Sequence, residues 1–160
     1  MKSKIANIFA TYFGLGLSPK APGTMGSLGT LPLAYMLINY GGFSALILAA
    51  IIICLLGIPA TAQVIKETGV TDPQKVVIDE TVGQLLSFAI LAYVDIDALI
   101  GMQSAFYYLV GFALFRLFDI KKMGPVKYFD SKVHNAYGVM FDDVFAGIFA
   151  AFMLWGIWCL

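Results

Sequence analysis

Charged residues are scarce in this sequence. Only 12% of its 160 residues are Asp, Glu, Lys or Arg, whereas 60% are hydrophobic. A soluble domain is typically about 25% charged and about 45–50% apolar. The scarcity excludes an ordinary soluble domain and predicts an integral membrane protein. No linker or internal repeat divides the chain, so residues 1–160 are predicted to form one domain.

Cysteine and histidine are also rare. Cys54 and Cys159 have no spacing motif, so neither a disulfide framework nor a thiolate metal site is predicted. The single histidine, His134, precedes an acidic pair by eight residues. An acid–base or phosphate-binding role and a plain solvent-exposed role both fit it. The net charge of zero gives no sign of a nucleic-acid partner, and none is predicted.

Apolar stretches dominate what is present. About 20 helical residues cross a bilayer core, so the sequence predicts an all-α membrane bundle of about five transmembrane helices. An amphipathic interfacial helix is predicted before them, with Ile5, Ile8, Phe9 and Tyr12 on one face; a signal peptide fits this segment less well because Asn7 and Thr11 interrupt it. The five predicted spans cover about residues 24–39, 43–62, 76–94, 98–118 and 139–160.

Basic residues fall on one side of this predicted bundle. Five spans place all ten Lys and Arg on the N-terminal side, with Arg116 at the end of the fourth span. The other side carries only Asp95 and Asp97. Because basic loops stay in the cytoplasm, the N-terminus is predicted to be cytoplasmic and, with five spans, the C-terminus to lie outside.

Two acidic doublets lie at the cytoplasmic starts of apolar stretches. They are Asp79-Glu80 and Asp142-Asp143. Helix capping explains a single acid at such a place, but a doublet supplies more carboxylate than one cap uses. Neighbouring helical residues point about 100° apart, so one member of each pair is predicted to bind a ligand while the other caps or supports it. Clustered carboxylates facing water suit Mg²⁺.

Cations and a glycine-rich segment are predicted at the same membrane face. Arg116 follows apolar residues and offers a planar fork of donors to phosphate; an i,i+3 pair with Asp119 is the structural alternative. Lys122 follows six residues later. Thr24, Gly26 and Ser27 lie where a predicted loop enters the first span, and their backbone N–H groups and hydroxyls could bind an anion or simply form a capped turn.

The motifs together resemble the phosphatidylglycerophosphatase A family. They are "GLSPKAPGTMGSLGTLP", "DETVGQ", "FRLFDIKKMGP" and "GVMFDDVFAG", in the family's order. The resemblance implies a Mg²⁺-dependent enzyme of the bacterial inner membrane that hydrolyses the terminal phosphate of phosphatidylglycerophosphate. It implies Glu80, Asp142 and Asp143 as metal ligands, with Asp79 close by. Met123, Gly124, Asn135 and Ala136 depart from the family's usual residues and affect the shapes of two loops.

The resulting hypothesis assigns further roles to these residues. Arg116 and Lys122 neutralise the substrate phosphate, the segment containing Thr24, Gly26 and Ser27 orients it, and Asp79, Asp119 and His134 assist the chemistry. The nucleophile is a water or an aspartate, since the chain has no Cys-x₅-Arg motif. The alternatives are another lipid phosphotransferase and a non-enzymatic cation transporter. Acids gathered at one face argue against a path through the membrane.

Overall fold

The chain folds into helices, as its composition predicts. The computed structural model describes residues 3–160, and for Pro125 and Asp130 the backbone alone. Lys2, one of the basic residues used to predict orientation, lies outside the described residues. Within residues 3–160 there is no strand, and a 3₁₀ turn, Leu15–Leu17, follows the first helix. The helices are α1 Ser3–Ala10, α2 Pro22–Thr68, α3 Ile78–Leu86, α4 Ala89–Val94, α5 Asp97–Ile100, α6 Ser104–Lys121, α7 Pro125–Lys132 and α8 Ala136–Trp158.

The long helix α2 is broken at Gly42. Gly42 has φ 59° and ψ −152°, a non-helical conformation that favours glycine. The predicted first and second spans are the two segments on either side of this break. A Cβ built on Gly26 would lie 2.9 Å from Val77 Cβ, and one on Gly57 would lie 3.5 Å from Ile78 Cγ2. Since Gly26 and Gly57 are nearly equidistant from the break, the two segments run antiparallel.

Two helices of the described chain are long and apolar enough to cross a membrane, namely α2 and α8. The five-span prediction is therefore supported only in part. The predicted third span is divided at Ser87 and Phe88 into α3 and α4, and the predicted fourth span into α5 and α6. These four helices contain 9, 6, 4 and 18 residues. Apolar composition alone does not show where tertiary packing interrupts a helix.

The N-terminal segment packs against the ends of α2 and α3. Ile5 and Ile8 are exposed on α1, as an apolar outer face requires, while Ala6 and Ala10 are buried. The Asn7 amide donates a 2.7 Å hydrogen bond to Glu67 Oε2 at the end of α2. The backbone N–H of Val77 donates to Ala10 O at 2.9 Å. These bonds fix the approach to α3, which lies between α2 and α8.

Candidate active site

An open cavity of about 600 Å³ lies where α2 and α3 begin and α6 ends, beside the first half of α8. Eight of the predicted site residues line it: Thr24, Asp79, Glu80, Arg116, Asp119, Lys122, Asp142 and Asp143. They come from segments far apart in sequence, so the fold itself gathers the two acidic doublets and the cations. Sequence reasoning missed two further lining residues, Asp72 and Gln74, because no motif marks the loop that carries them.

Three carboxylates form a cluster in the wall of this cavity. One oxygen from each of Asp79, Glu80 and Asp143 lies within 4.8 Å of the other two. Asp79 and Asp143 are buried, with 7% and 3% of their surfaces exposed. The expectation that neighbouring acids on a helix do not face one point is wrong for Asp79-Glu80. Both reach the cluster because they lie in the first turn of α3 and the glutamate side chain is longer.

The backbones of α3 and α8 touch one helical turn away from this cluster. A Cβ on Gly147 would lie 2.9 Å from the Cα of Gly83. Gly83 is four residues after Asp79, and Gly147 is four residues after Asp143. Residues four apart share a helix face. The contact between the two glycines therefore brings the aspartates of the two helices together.

The second doublet lies inside its helix, and this corrects a prediction. Helix α8 begins at Ala136, and Asn135 caps it by accepting hydrogen bonds from the N–H groups of Tyr137 and Gly138. Neither Asp142 nor Asp143 is a cap. Lys122 Nζ lies 3.0 Å from Asp142 Oδ2, so Asp142 is paired with a cation while Asp143 joins the carboxylate cluster.

Arg116 connects an acid of its own helix α6, an acid of α3 and a serine of α2. Its Nη1 atom lies 2.7 Å from Asp119 Oδ2, which confirms the i,i+3 pair, and 3.8 Å from Glu80 Oε1. It also donates a 3.5 Å hydrogen bond to Ser27 Oγ. Among the described residues, the buried atoms Arg116 Nε and Glu80 Oε2 have no hydrogen-bond partner. Buried polar atoms are usually satisfied, so this pair leaves a donor and an acceptor for a ligand.

The predicted glycine-rich loop is instead the first turns of α2. Pro22 starts the helix, and Thr24 lines the cavity. Gly26 and Ser27 are not among its lining residues: Gly26 packs against Val77, and Ser27 Oγ donates to Gly23 O at 2.9 Å. Gly23 approaches the cluster so closely that a Cβ there would collide with Glu80 Oε1 and lie 3.2 Å from Arg116 Nη1.

His134 lies beside the main cavity and does not line it. It borders a separate cavity of about 30 Å³ together with Asp72 and Asp142. Asp142 also lines the main cavity. A space of this size and polarity suits an ordered water. Asp72, Val139 and Asp142 line both cavities, so they form the boundary between the imidazole's cavity and the main one.

The residues present fit a hard divalent cation. Six carboxylates line the main cavity against two cationic side chains, and Mg²⁺ prefers carboxylate oxygens. The Glu80 Oε2 atom, which has no hydrogen-bond partner, would gain the cation as its partner there. Acids that can hold Mg²⁺, beside an arginine that can bind phosphate, are the groups used in metal-assisted phosphoryl transfer. Fold and site together define a helical protein of the phosphatase class with apolar helices long enough for a membrane.

Comparison with known proteins identifies the family. The Phosphatidylglycerophosphatase A family matches residues 8–158. Phosphatidylglycerophosphatase A of Haemophilus influenzae is 35% identical over 94% of this chain and 87% of the relative. The Escherichia coli protein of that name is 33% identical over 94% of this chain and 82% of the relative. The chain belongs to the phosphatidylglycerophosphatase A family, a family of phosphatases.

A third relative has a different name. A Bacteroides thetaiotaomicron protein named "Putative phosphatidylinositol-3-phosphatase" is 35% identical over 92% of this chain and 89% of the relative. No solved structure matches this chain.

Proposed function

We propose that this protein is a Mg²⁺-dependent lipid phosphatase that hydrolyses the terminal phosphomonoester of phosphatidylglycerophosphate to phosphatidylglycerol and phosphate. The observation that carries the proposal is the cluster of Asp79, Glu80 and Asp143 beside Arg116 in one open cavity. The family membership supports the choice of lipid.

Glu80, Asp79 and Asp143 would hold the metal, with Asp142 beside them. When bound, Mg²⁺ would polarise the phosphoryl oxygens and offset their charge. Arg116 and Lys122 are the cationic side chains in the same cavity. Two positive charges do not balance the carboxylates there, and the repulsion among those buried negative charges favours binding of a divalent cation.

The chain's own residues bind and orient the phosphate. Arg116 donates to the phosphoryl oxygens, and its pair with Asp119 holds the guanidinium in place. Lys122 adds a second positive charge, and Thr24 offers its hydroxyl from the first turn of α2. Gly26 and Ser27 support that turn from outside the cavity: Gly26 packs against Val77, and Ser27 accepts from Arg116 and donates to Gly23 O.

The reaction then needs two proton transfers. A water forms the new bond to phosphorus and gives its proton to one of the buried carboxylates, while the phosphorus–oxygen bond to the glycerol breaks. The carboxylate then passes that proton to the departing glycerol oxygen, so the products are the lipid hydroxyl group and inorganic phosphate. His134, which borders the small cavity together with Asp142, would assist these transfers from beside the site.

The proposed site lies at the cytoplasmic face of the bacterial inner membrane. In this arrangement α2 crosses the membrane twice and α8 once. The α3–α4 and α5–α6 pairs form the third and fourth crossings as interrupted spans, and α1 lies in the interface. A single helix of 47 residues would be about 70 Å long, more than twice the bilayer core of about 30 Å. That length supports the two crossings of α2.

Cysteine accessibility tests this topology. In a chain with Cys54 and Cys159 replaced by serine, single cysteines are placed at the exposed positions Lys132 and Asp97. An impermeant maleimide added to intact cells is expected to label Asp97→Cys and to label Lys132→Cys only after lysis. Labelling of both positions in intact cells would contradict the proposed orientation.

Phosphate release from defined lipids tests the activity. Purified protein is expected to release phosphate from phosphatidylglycerophosphate with Mg²⁺ and not after chelation. Phosphatidic acid and phosphatidylinositol 3-phosphate are assayed in parallel, because a relative carries the latter lipid in its name. Preference for the inositol lipid would reassign the substrate. Release from no lipid phosphomonoester with any divalent cation would refute the phosphatase proposal, and a liposome Mg²⁺-flux assay would then test the transporter alternative.

A further inference from the structure

We propose that Gln74 is a specificity-determining residue that binds the free hydroxyl of the substrate's headgroup, and so distinguishes a glycerol headgroup from one that lacks this hydroxyl. The role rests on the proposed function, because the substrate would be phosphatidylglycerophosphate. In that lipid the headgroup glycerol joins a phosphodiester at one end to the phosphomonoester at the other, and its middle carbon carries a free hydroxyl.

The main cavity has room for more than a cation and a phosphoryl group. Its volume of about 600 Å³ is within the range of about 300–1,000 Å³ that is typical of pockets for whole small molecules. The carboxylate cluster and Arg116 occupy one part of its lining. The loop before α3 supplies another part, through residues that include Gln74 and Val76. The rest of the headgroup can therefore bind in the same cavity as the phosphoryl group.

The side chain of Gln74 has the chemistry that a hydroxyl needs. It is the only carboxamide among the described residues that line the cavity. A carboxamide offers two N–H donors and a carbonyl acceptor, so it can donate to a hydroxyl or accept from it, whereas the charged side chains of the lining suit the cation and the phosphate. Within residues 3–160 the amide of Gln74 has no hydrogen-bond partner, so both of its groups can bind a ligand.

The backbone that carries Gln74 is fixed on both sides. Pro73 is buried, and its carbonyl accepts a 2.8 Å hydrogen bond from the N–H of Val76, which closes a turn with Gln74 at its second position. The carbonyl of Lys75 packs so closely on Gly16 that a Cβ there would collide with it. A ligand therefore does not have to order this loop, and this lowers the cost of binding.

Kinetics on two lipids that differ by one hydroxyl test this role. The first lipid is phosphatidylglycerophosphate, and the second is its deoxy analogue, in which 1,3-propanediol replaces the headgroup glycerol. Phosphate release in mixed micelles with Mg²⁺ gives kcat/KM on both lipids for the wild type, Gln74→Leu and Gln63→Leu. Gln63 is the matched control, because it lies outside the cavity lining and donates its hydrogen bond to Glu67 on the same helix.

The wild type is expected to prefer the glycerol lipid by about fivefold to tenfold, which is the factor that one neutral hydrogen bond contributes. Gln74→Leu should lose this factor on the glycerol lipid and keep the wild-type kcat/KM on the deoxy lipid, so that its preference disappears. Unchanged activity on the deoxy lipid also shows that the variant is folded. Gln63→Leu should keep the wild-type preference.

Two results would overturn the inference and leave the phosphatase activity in place. A wild type with no preference would show that the hydroxyl is not recognised. Equal losses on the two lipids in Gln74→Leu, at an unchanged midpoint of thermal unfolding, would show that this residue contacts another part of the lipid or only shapes the loop. If that midpoint falls, Gln74→Ala answers the same question. Release of phosphate from neither lipid by the wild type would instead refute the proposed function.

Discussion

Arg116 allows the catalytic and structural contributions of one side chain to be separated. Its 2.7 Å contact with Asp119 is short, and both side chains are only about one-sixth exposed, at 16% and 15%. Hydrogen bonds to charged groups contribute about 1.5–3 kcal/mol. Arg116→Gln should therefore cost about 2 kcal/mol of stability, which lowers the midpoint of thermal unfolding by about 4–8 °C for a chain of this size.

The expected loss of activity is larger than the loss of stability. Removing one preorganised donor from a site where charge develops costs about 100-fold to 1,000-fold in rate. Arg116→Gln is expected to lower kcat/KM for phosphatidylglycerophosphate by at least about 100-fold, measured as phosphate release in mixed micelles. Arg116→Lys keeps the charge without the planar fork and should fall between this variant and the wild type. Lys66→Gln, at an exposed position outside the cavity, controls for loss of a positive charge.

A double variant decides between the two contributions. Replacing one partner of a buried ion pair leaves an uncompensated charge, and replacing the second partner by a neutral group removes that charge. Arg116→Gln with Asp119→Asn should therefore recover most of the lost thermal stability and none of the lost activity. If kcat/KM recovered together with the unfolding midpoint, or stayed within threefold of wild type in Arg116→Gln, Arg116 would be an ion-pair partner only.

Further expected outcomes concern the metal cluster and its surroundings. Asp143→Asn should lower Mg²⁺-dependent phosphate release by more than about 100-fold. Asp95→Asn, outside the cavity, should stay within threefold of wild type. Equal activities of the two variants would contradict the proposed metal site. Gly23→Ala should lower kcat/KM about tenfold because its Cβ displaces Glu80 and Arg116, and Gly156→Ala should not; an unaffected Gly23→Ala would show that this approach is not needed. Chelation of divalent cations should lower the thermal midpoint of the wild type and leave that of Asp143→Asn unchanged, and a fall in both would place the bound cation elsewhere.

Much of the site could be predicted because charge is so scarce in this chain. A carboxylate among apolar residues has few ways to be stabilised, so Asp79, Glu80, Asp142 and Asp143 stood out from composition alone. The pairing of Arg116 with Asp119 also followed from helix spacing. The sequence could not show which acid pairs with a lysine and which joins the carboxylate cluster. The pairing of Asp142 with Lys122 depends on where α6 ends relative to α8.

The helix boundaries were predicted less well, for a physical reason. A hydropathy window averages over about 19 residues, and it does not detect the interruption at Ser87 and Phe88 inside an apolar stretch. The first turns of α2 were predicted as a loop because glycine and proline usually mark one. Pro22 instead occupies the start of a helix, where its missing N–H costs nothing, and Gly26 allows α2 to pack closely on Val77.

One sequence pattern explains the placement of the acids better than helix capping does. Both "DETVG" and "DVFAG" carry an aspartate four residues before a glycine, at Asp79 and Gly83 and at Asp143 and Gly147. On a helix each pair shares one face. Two helices that are in contact at these glycines therefore bring their aspartates together one helical turn away. The repulsion between those carboxylates opposes the contact between the two helices, and a bound divalent cation offsets that repulsion. Metal binding and close packing of α3 on α8 are in this way coupled, so each should strengthen the other.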